Sequence, residues 1–239
     1  MNILSIEKLR VDYGDFTALD ITEKIDFQLG DRIGIIGGNG AGKTTFAKAI
    51  CGLVNYKGTV NTELKQSDIA IHLQDNSFVK RMPVKIIMEA VFNTSVKTNT
   101  KLQEIINFFD FEPCLKKRYA QLSGGQKQKL ALILVLMQDK QLTFFDEVTS
   151  GLDFENRAKL IKKLHEWYGN NEKTICIVSH YYDELQDFCN KLLVIDSGKI
   201  VAFDTVENLA KKYNATEIII KRQNDIETIY TNVIKDGAK

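Results

Sequence analysis

A glycine-rich segment that ends in a lysine and a threonine is the first feature able to do chemistry: Gly37-Gly38-Asn39-Gly40-Ala41-Gly42-Lys43-Thr44. It fits G-x4-G-K-[ST] and lies between an apolar run, Arg32–Ile36, and a segment with helical character, Thr44–Cys51. Glycines let backbone N–H groups turn inward around phosphate oxygens, and the positive end of the next helix faces the same anion. Lys43 can reach the outer phosphates, and the Thr44 hydroxyl can bind Mg²⁺. The segment, called the phosphate loop below, therefore predicts a nucleotide site, with Thr45 as a further contact.

A second group of small residues stands directly before a predicted helix, Leu122-Ser123-Gly124-Gly125-Gln126. Such a helix start offers N–H groups and a hydroxyl to an anion. Further along, the apolar run Leu142–Phe145 predicts a buried strand, and two acids follow it, Asp146 and Glu147. An ordinary glycine-rich helix start and a plain strand exit are the alternative interpretations.

In this order the segments resemble those of the ABC (ATP-binding cassette) ATPases, in which LSGGQ follows a phosphate loop. The resemblance runs from about Leu4 to about Asn208. It implies an α/β fold of the P-loop NTPase class, with a mostly parallel core sheet, an N-terminal antiparallel β lobe and a helical insertion. Residues 1–239 would form a single domain. Its core would comprise 1–76 and 123–239, and its helical signature lobe 77–122.

The resemblance also implies roles for single residues, with ATP and Mg²⁺ as cofactors. Asp146 would hold Mg²⁺ directly or through water, and Glu147 would polarise the attacking water as general base. Gln74 resembles the glutamine that contacts Mg²⁺ or water, and His180 resembles the switch histidine that contacts the γ-phosphate. Glu147, His180 and Gln74 are thus the predicted catalytic residues. The predicted metal ligands are Thr44, Gln74 and Asp146.

Further nucleotide contacts follow from the same resemblance. Tyr13 resembles the aromatic residue that stacks on adenine, with Phe16 as the fallback. The segment Ser150-Gly151-Leu152-Asp153 resembles the D-loop, in which Asp153 would cross a dimer interface, cap its own helix, or both. Residues 122–126 resemble the family signature, which caps the ATP held by another subunit in a head-to-tail dimer. The signature residues predicted to bind nucleotide are Ser123, Gly124, Gly125 and Gln126.

Two positions depart from the family pattern. Val148 stands where a proline usually follows the glutamate, and Lys129 stands where an arginine commonly follows the signature. Neither change removes a catalytic group. We expect a modest shift in loop geometry, and the turnover rate stays open.

An alternation of strands and helices must position these residues, and it predicts a mostly parallel sheet. Besides the two apolar runs above, buried strands are expected at Ile69–Leu73, Thr174–Val178 and Leu192–Ile195. Helices are expected at Val84–Phe92, Lys101–Phe109, Gln126–Met137, Glu155–Tyr168 and Tyr182–Asn190. Leu4 to Tyr13 predicts an early strand with a slip or bend, and Ile25 to Leu29 an antiparallel strand. After Gly198 we expect a hairpin-like Lys199–Phe203, a short helix near 205–213, a strand at Glu217–Lys221 and a last helix.

The composition of the 239 residues excludes several classes of protein. With 44% hydrophobic residues the chain can form a packed interior, and a disordered chain is excluded. Its 32 Lys+Arg and 31 Asp+Glu leave a net charge of +1, which argues against a nucleic-acid partner. The longest apolar run, Leu130–Met137, has eight residues, whereas a membrane span needs about 20. The four cysteines match no CxxC pattern and fit a reducing cytosol: Cys51, Cys114, Cys176 and Cys189.

The family resemblance implies a peripheral protein at the cytoplasmic face of the cell membrane, bound through an integral membrane permease. The N-terminus lacks a signal-peptide pattern, and we expect no covalent membrane anchor. In the family the helical lobe receives a coupling helix from the permease. Many of the apolar residues at the start of the lobe are expected to form its core, and any of six could instead supply that groove: Phe78, Val79, Met82, Val84, Ile87 and Met88. The run Lys116-Lys117-Arg118 is interpreted as a solvated helix face, with proximity to anionic headgroups as the alternative.

The leading hypothesis is therefore the ATP-hydrolysing subunit of an ABC transporter. ATP would close this cassette against a second one, either a copy of itself or a related subunit, and hydrolysis would reopen the pair. The pattern Ile226–Tyr230 resembles the end of cassettes that serve ABC-2 exporters, and the direction of transport stays open. The alternative is a single-cassette ATPase that acts in iron–sulfur assembly, and a third interpretation is a cassette that regulates without hydrolysis.

Overall fold

The computed structural model describes residues 1–72, 78–169, 172–179, 185 and 188–213. Within these residues the chain forms strands and α-helices in the following order: β1 (Asn2–Tyr13), β2 (Phe16–Ile21), β3 (Ile25–Gln28), β4 (Arg32–Ile36), α1 (Lys43–Ile50), β5 (Lys57–Thr62), β6 (Ile69–His72), α2 (Val84–Phe92), α3 (Thr100–Phe108), α4 (Gly124–Leu136), β7 (Leu142–Asp146), α5 (Phe154–Tyr168), β8 (Thr174–Val178), β9 (Lys191–Asp196), β10 (Lys199–Thr205) and α6 (Val206–Lys212). Short 3₁₀ turns lie at Gln66–Asp68, Glu112–Cys114 and Tyr119–Gln121.

The described residues form a central sheet of six strands in the order β10-β9-β4-β8-β7-β6. All neighbours are parallel except β10, which runs antiparallel to β9, so the predicted mostly parallel core is confirmed. Every residue of β7 and β8 is buried, as expected for strands covered on both faces. Val178 lies in register with Ile35 on one side and with Asp146 on the other. The residues that follow β4, β8 and β7 therefore meet at one edge of the sheet.

A smaller antiparallel sheet is built around β1. One edge of β1 pairs with β2 and β3, and β5 pairs with it as well. The predicted slip in the first strand is an irregularity between Val11 and Asp12. The strands β2 and β5 were not predicted from the sequence. Five of the six residues of β5 are exposed, so this strand is held by backbone pairing and carries little apolar pattern.

Alternate residues of the central strands enter two separate hydrophobic clusters, because successive side chains of a strand point to opposite faces. Phe144 and Cys176 pack with the antiparallel sheet and with Phe46 of α1. Their neighbours Phe145 and Ile177 pack with the helices on the other face, from α2 to α6. The phosphate loop and the signature helix α4 consequently belong to opposite layers of one molecule.

The chain between β6 and α4 contains α2, α3 and two of the 3₁₀ turns. Three of the candidates for a partner groove, Val84, Ile87 and Met88, are buried in the core of this helical segment. For these three residues the alternative holds: they form the core of the lobe and are not available to a partner. The interpretation of residues 116–118 as a helix face is wrong, since they lie in a turn after the 3₁₀ turn Glu112–Cys114.

The other predicted elements either agree with the structure within a few residues or fall outside the described residues. The α4 helix begins at Gly124 rather than Gln126, because Ser123 caps it. Most of the predicted helix Tyr182–Asn190, the strand Glu217–Lys221 and the last helix lie outside the described residues. In the part of the chain that is described, no helix is both long and apolar enough to cross a bilayer.

Candidate functional site

The phosphate loop connects the end of β4 to the start of α1, and its backbone is packed too tightly for side chains at two positions. A Cβ on Gly37 would lie 2.1 Å from the carbonyl oxygen of Ile195, in β9. Gly42 has φ +106°, and a Cβ there would lie 2.8 Å from the carbonyl oxygen of Ala18, in β2. The backbone of the loop therefore packs against one strand of each sheet, β9 and β2. Its exposed tip, Asn39 and Gly40, faces solvent.

The N-terminus of α1 differs from those of the other helices around the site. Gly42 occupies its N-cap position, no side chain caps it, and its first turn contains no acidic residue. By contrast, side chains of Ser123 and Asp153 cap α4 and α5. The first N–H groups of a helix need acceptors, and an uncapped start inside a glycine loop is suited to an anion. This geometry fits the phosphates of a nucleotide.

Lys43, at the start of α1, is only 5% exposed. Its Nζ donates hydrogen bonds to the carbonyl oxygens of Gly37 at 2.9 Å and Gly38 at 2.8 Å. Burial lowers the pKa of Lys43, and the nearby carboxylates of Glu147 and Asp146 oppose that shift. The ammonium group is therefore held by weak neutral acceptors beside two acids, and phosphate oxygens would be stronger acceptors for it.

Asp146 ends β7 with 3% exposure, and among the described residues its Oδ1 has no hydrogen-bond partner. Burial raises the pKa of this carboxyl group, and the neighbouring Thr44 hydroxyl opposes the shift. A buried carboxylate oxygen without a partner, next to a hydroxyl, fits the oxygen ligand set of Mg²⁺. The predicted ligands Thr44 and Asp146 are thus brought together, whereas Gln74 lies outside the described residues.

Glu147 directly follows the strand and has a backbone φ of +48°. A glutamate in this left-handed region is strained, and such strain clusters at functional positions. Its backbone N–H donates to the carbonyl oxygen of Val178 at 3.0 Å, so β8 holds the strained residue in place. His180, the predicted switch histidine, lies outside the described residues. Val148, the departure from proline, is 1% exposed and fits the apolar core.

Signature residues 123–126 line a separate groove of about 610 Å³, together with residues 151–153 of the D-loop. A Cβ on Gly125 would lie 3.4 Å from the Leu152 side chain, and Gln128 Nε2 donates to the Ser150 carbonyl oxygen at 3.4 Å. Of the described residues that line this groove, none belongs to the phosphate loop. Within one chain, the two predicted anion sites are therefore distinct.

Asp153 is a helix cap in this structure. Its carboxylate accepts hydrogen bonds from the backbone N–H of Asn156 at 2.9 Å and from its side-chain amide at 2.7 Å. These bonds keep the pKa of Asp153 below its ordinary value. The alternative role at a dimer interface stays a prediction.

The two candidate adenine-stacking residues face each other across a hairpin. Tyr13 ends β1, Phe16 begins β2, and the two are paired in register. Tyr13 is 48% exposed and Phe16 is 64% exposed. The same hairpin packs against Gly42 through the Leu19 side chain. Both rings therefore lie on an element that touches the phosphate loop, and both are open to a flat ligand.

Sequence reasoning missed one residue at the signature. Lys117 donates from Nζ to Gln126 Oε1 at 3.3 Å, although it was interpreted as solvated. The sequence spacing of Lys117 and Ser123 did not predict this contact, because the turn that places Lys117 beside Gln126 depends on tertiary packing.

Lys129, the departure from arginine, donates to the Phe109 carbonyl oxygen at 3.0 Å and so joins α4 to the end of α3.

Comparison with known proteins gives one family. The family model described as ABC transporter matches residues 23–150. The tungstate uptake system ATP-binding protein of Peptoclostridium acidaminophilum is 29% identical over 207 residues, covering 82% of this chain and 96% of that protein. An energy-coupling factor transporter ATP-binding protein of Mycoplasmopsis pulmonis is 35% identical over 192 residues, covering 72% and 71%.

Solved structures share the fold at low sequence identity. An ATP-binding subunit of an ABC transporter superposes with a TM-score of 0.80 at 17% identity, covering 97% of this chain and 99% of that one. A nucleotide-free ATP-binding cassette gives 0.76 at 22% identity, covering 93% and 98%. The α/β cassette fold with its antiparallel lobe is thus confirmed.

We predict opposite effects of Asp146→Asn on the free and the nucleotide-bound protein. Because burial raises the pKa of Asp146, the folded state binds its proton more tightly, and stability falls as pH rises above the ordinary value of 3.8. At pH 7 the neutral amide avoids this cost, so the free variant should melt no lower than wild type. The stabilisation by Mg·ATP, about 2.7 kcal/mol at a hundredfold excess over Kd, should be largely lost.

Thermal unfolding at pH 7 with and without Mg·ATP measures both effects. Asp139→Asn is the matched control, because Asp139 is an exposed residue in the turn before β7 and has a φ of +56° that asparagine tolerates. The control should keep the nucleotide-dependent shift. A full Mg·ATP shift in Asp146→Asn would exclude Asp146 as a metal ligand.

Proposed function

This chain belongs to the ABC transporter family of ATP-binding subunits and is an ATPase coupled to transport, and we propose that two copies close head to tail around ATP. The observation that carries the proposal is the separation of two anion sites in one chain. The phosphate loop has an uncapped helix start and a buried lysine, and the signature lies in another groove with the D-loop. Each half needs a complement that a second copy would supply.

The half-site at the phosphate loop would bind the nucleotide and carry out hydrolysis. Lys43 would exchange the carbonyls of Gly37 and Gly38 for phosphate oxygens, and backbone N–H groups of residues 38–45 would hold the remaining ones. Thr44 and Asp146, with Gln74, would hold Mg²⁺, which would neutralise phosphate charge. Glu147 would accept a proton from the attacking water, and His180 would help to orient that water.

The other half-site would come from the second copy. The N–H groups at the start of its α4, the Ser123 hydroxyl and the Gln126 amide would cap the nucleotide. This region is accessible, since Ser123 and Gly124 are exposed. The D-loop would cross the interface with Asp153 keeping its helix cap. Tyr13, or Phe16 beside it, would stack on the adenine.

The helical segment is the proposed contact with a membrane permease. With Val84, Ile87 and Met88 buried, the apolar side chains left for a partner include Val79, 63% exposed, and Ile86, 45% exposed. A coupling helix could cover these side chains without changing the core. The protein would then reside at the cytoplasmic face of the membrane through this partner.

Uptake is the proposed direction of transport. Relatives of this chain carry names that specify uptake, including the tungstate system above and a zinc uptake system of Bacillus subtilis, 29% identical over 217 residues. These names favour import over the ABC-2 exporter expectation, which rests on residues outside the described part. The relatives named here are transporter subunits, so the iron–sulfur assembly alternative has no support from them.

Glu147→Gln should separate ATP binding from hydrolysis. The amide cannot accept the proton of the attacking water, so turnover should fall by about 10²–10⁴-fold. ATP binding should persist, and the closed dimer should accumulate with Mg·ATP. Steady-state phosphate release and light scattering after size-exclusion chromatography measure the two effects.

Glu172→Gln supplies the control, because Glu172 is exposed just before β8. It should hydrolyse ATP at the wild-type rate and remain mostly monomeric under turnover. Unchanged turnover in Glu147→Gln would remove Glu147 from the role of general base.

Affinity purification of the tagged protein from detergent-solubilised native membranes tests the transport partner. We expect a stoichiometric protein with several membrane spans, and weaker recovery of that protein with Val79→Asp/Ile86→Asp, because charges would face the coupling helix. Repeated recovery of soluble partners only, with intact ATPase activity, would contradict the permease proposal and favour an assembly role.

A further inference from the structure

The side-chain amide of Gln126 is held in one orientation at the start of α4. Its Oε1 accepts a hydrogen bond from the backbone N–H of Ser123 at 3.2 Å and a second from Lys117 Nζ at 3.3 Å. Both contacts engage the oxygen. Among the described residues the amide nitrogen has no acceptor, so its two N–H donors remain available at the signature.

Lys117 reaches this position because its backbone is tied on both sides. Its N–H donates to the Cys114 carbonyl oxygen at 3.0 Å, and its own carbonyl accepts from Val84 N–H at 2.9 Å. Arg118 and Pro83 form the adjoining antiparallel bridge. The turn that carries Lys117 is therefore hydrogen-bonded to the start of α2, and its backbone position is fixed.

The neighbouring lysine provides an internal contrast. Lys116 is exposed and lies in the groove formed with Lys85 and Leu115, away from the signature. Lys117 is half-buried and contacts Gln126. Of two adjacent lysines, only Lys117 thus contacts the signature amide among the described residues, and Lys116 serves as an exposed reference of the same type.

We propose that Lys117 is a positioning residue that turns the Gln126 amide nitrogen outward, toward the nucleotide held by the second copy. The inference rests on the proposed composite site and adds a residue to it. An ammonium group beside Oε1 disfavours the flipped amide, because the flip would place N–H donors against a cation. The amide donors then meet oxygen acceptors of the nucleotide.

The test measures ATP-driven dimerisation in the Glu147→Gln background, with Lys117→Met as the variant. Methionine keeps an unbranched apolar stem of similar length and removes the charge. We expect the ATP concentration for half-maximal dimerisation to rise about tenfold, the lower end of the range for the loss of one hydrogen bond to a charged group. Lys116→Met should show no shift, and Lys117→Arg should restore most of the wild-type value. Circular dichroism and binding of a fluorescent ATP analogue to the monomer show whether each variant folds.

A double-mutant cycle identifies the route of the effect. In the Gln126→Ala background, Lys117→Met should add little, because the residue acts through the amide. Fully additive losses would overturn the positioning role. An unchanged dimerisation curve in Lys117→Met would overturn the inference while leaving the composite site intact. Failure of the parent Glu147→Gln protein to dimerise with ATP would instead reject the composite site and the inference with it.

Discussion

The buried ammonium group of Lys43 is the interaction on which the rest of the site depends. A cation with 5% exposure loses most of its hydration, and burial lowers its pKa. Two loop carbonyls and the carboxylates of Asp146 and Glu147 offset that loss. These groups come from two strands separated by β8, so they meet only if the parallel register of the central sheet is kept. The position of the Lys43 ammonium group therefore depends on three features together: the register of the sheet, the glycines of the phosphate loop and the two acids at the sheet edge.

The N-termini of α1 and α4 differ in how their first backbone N–H groups are satisfied. The start of α1 is left uncapped, whereas Ser123 and Gln126 form a reciprocal capping box at α4. The capped start still carries free donors. Gln126 Oε1 accepts hydrogen bonds from Lys117 Nζ and Ser123 N–H, whereas the amide nitrogen of Gln126 donates to no acceptor among the described residues. A nucleotide bound at α1 would therefore meet a preorganised set of donors on a second molecule. In the proposed dimer, this arrangement would couple nucleotide binding to association and would supply the movement passed to a permease.

The sequence predicted the fold well where chemistry and periodicity coincide. The phosphate loop, β7 with its two acids and the signature helix have fixed spacing and strong apolar runs, so their positions followed from the residues and from the family resemblance. The strand β5 was missed because exposed residues leave no alternating pattern. Lys117 was misinterpreted because its contact depends on a turn packed against α2, and neither spacing nor composition encodes that packing. For Val84, Ile87 and Met88 the sequence left a partner groove and the core of the lobe both open, because an apolar helix face has the same pattern whether a neighbouring helix or a partner covers it.

Cysteine cross-linking between chains tests most directly whether the phosphate loop and the signature of different copies form one site. Asn39 and Ser123 are exposed, and each can be replaced by cysteine in a separate chain. Background reaction should be slow, since Cys114 and Cys176 are buried and burial raises the pKa of Cys51 to about 12. Mixing the Asn39→Cys and Ser123→Cys chains with ATP and a mild oxidant should give a covalent dimer that depends on nucleotide. An ATP-dependent disulfide within one chain of the double variant, with no dimer in the mixture, would contradict the account.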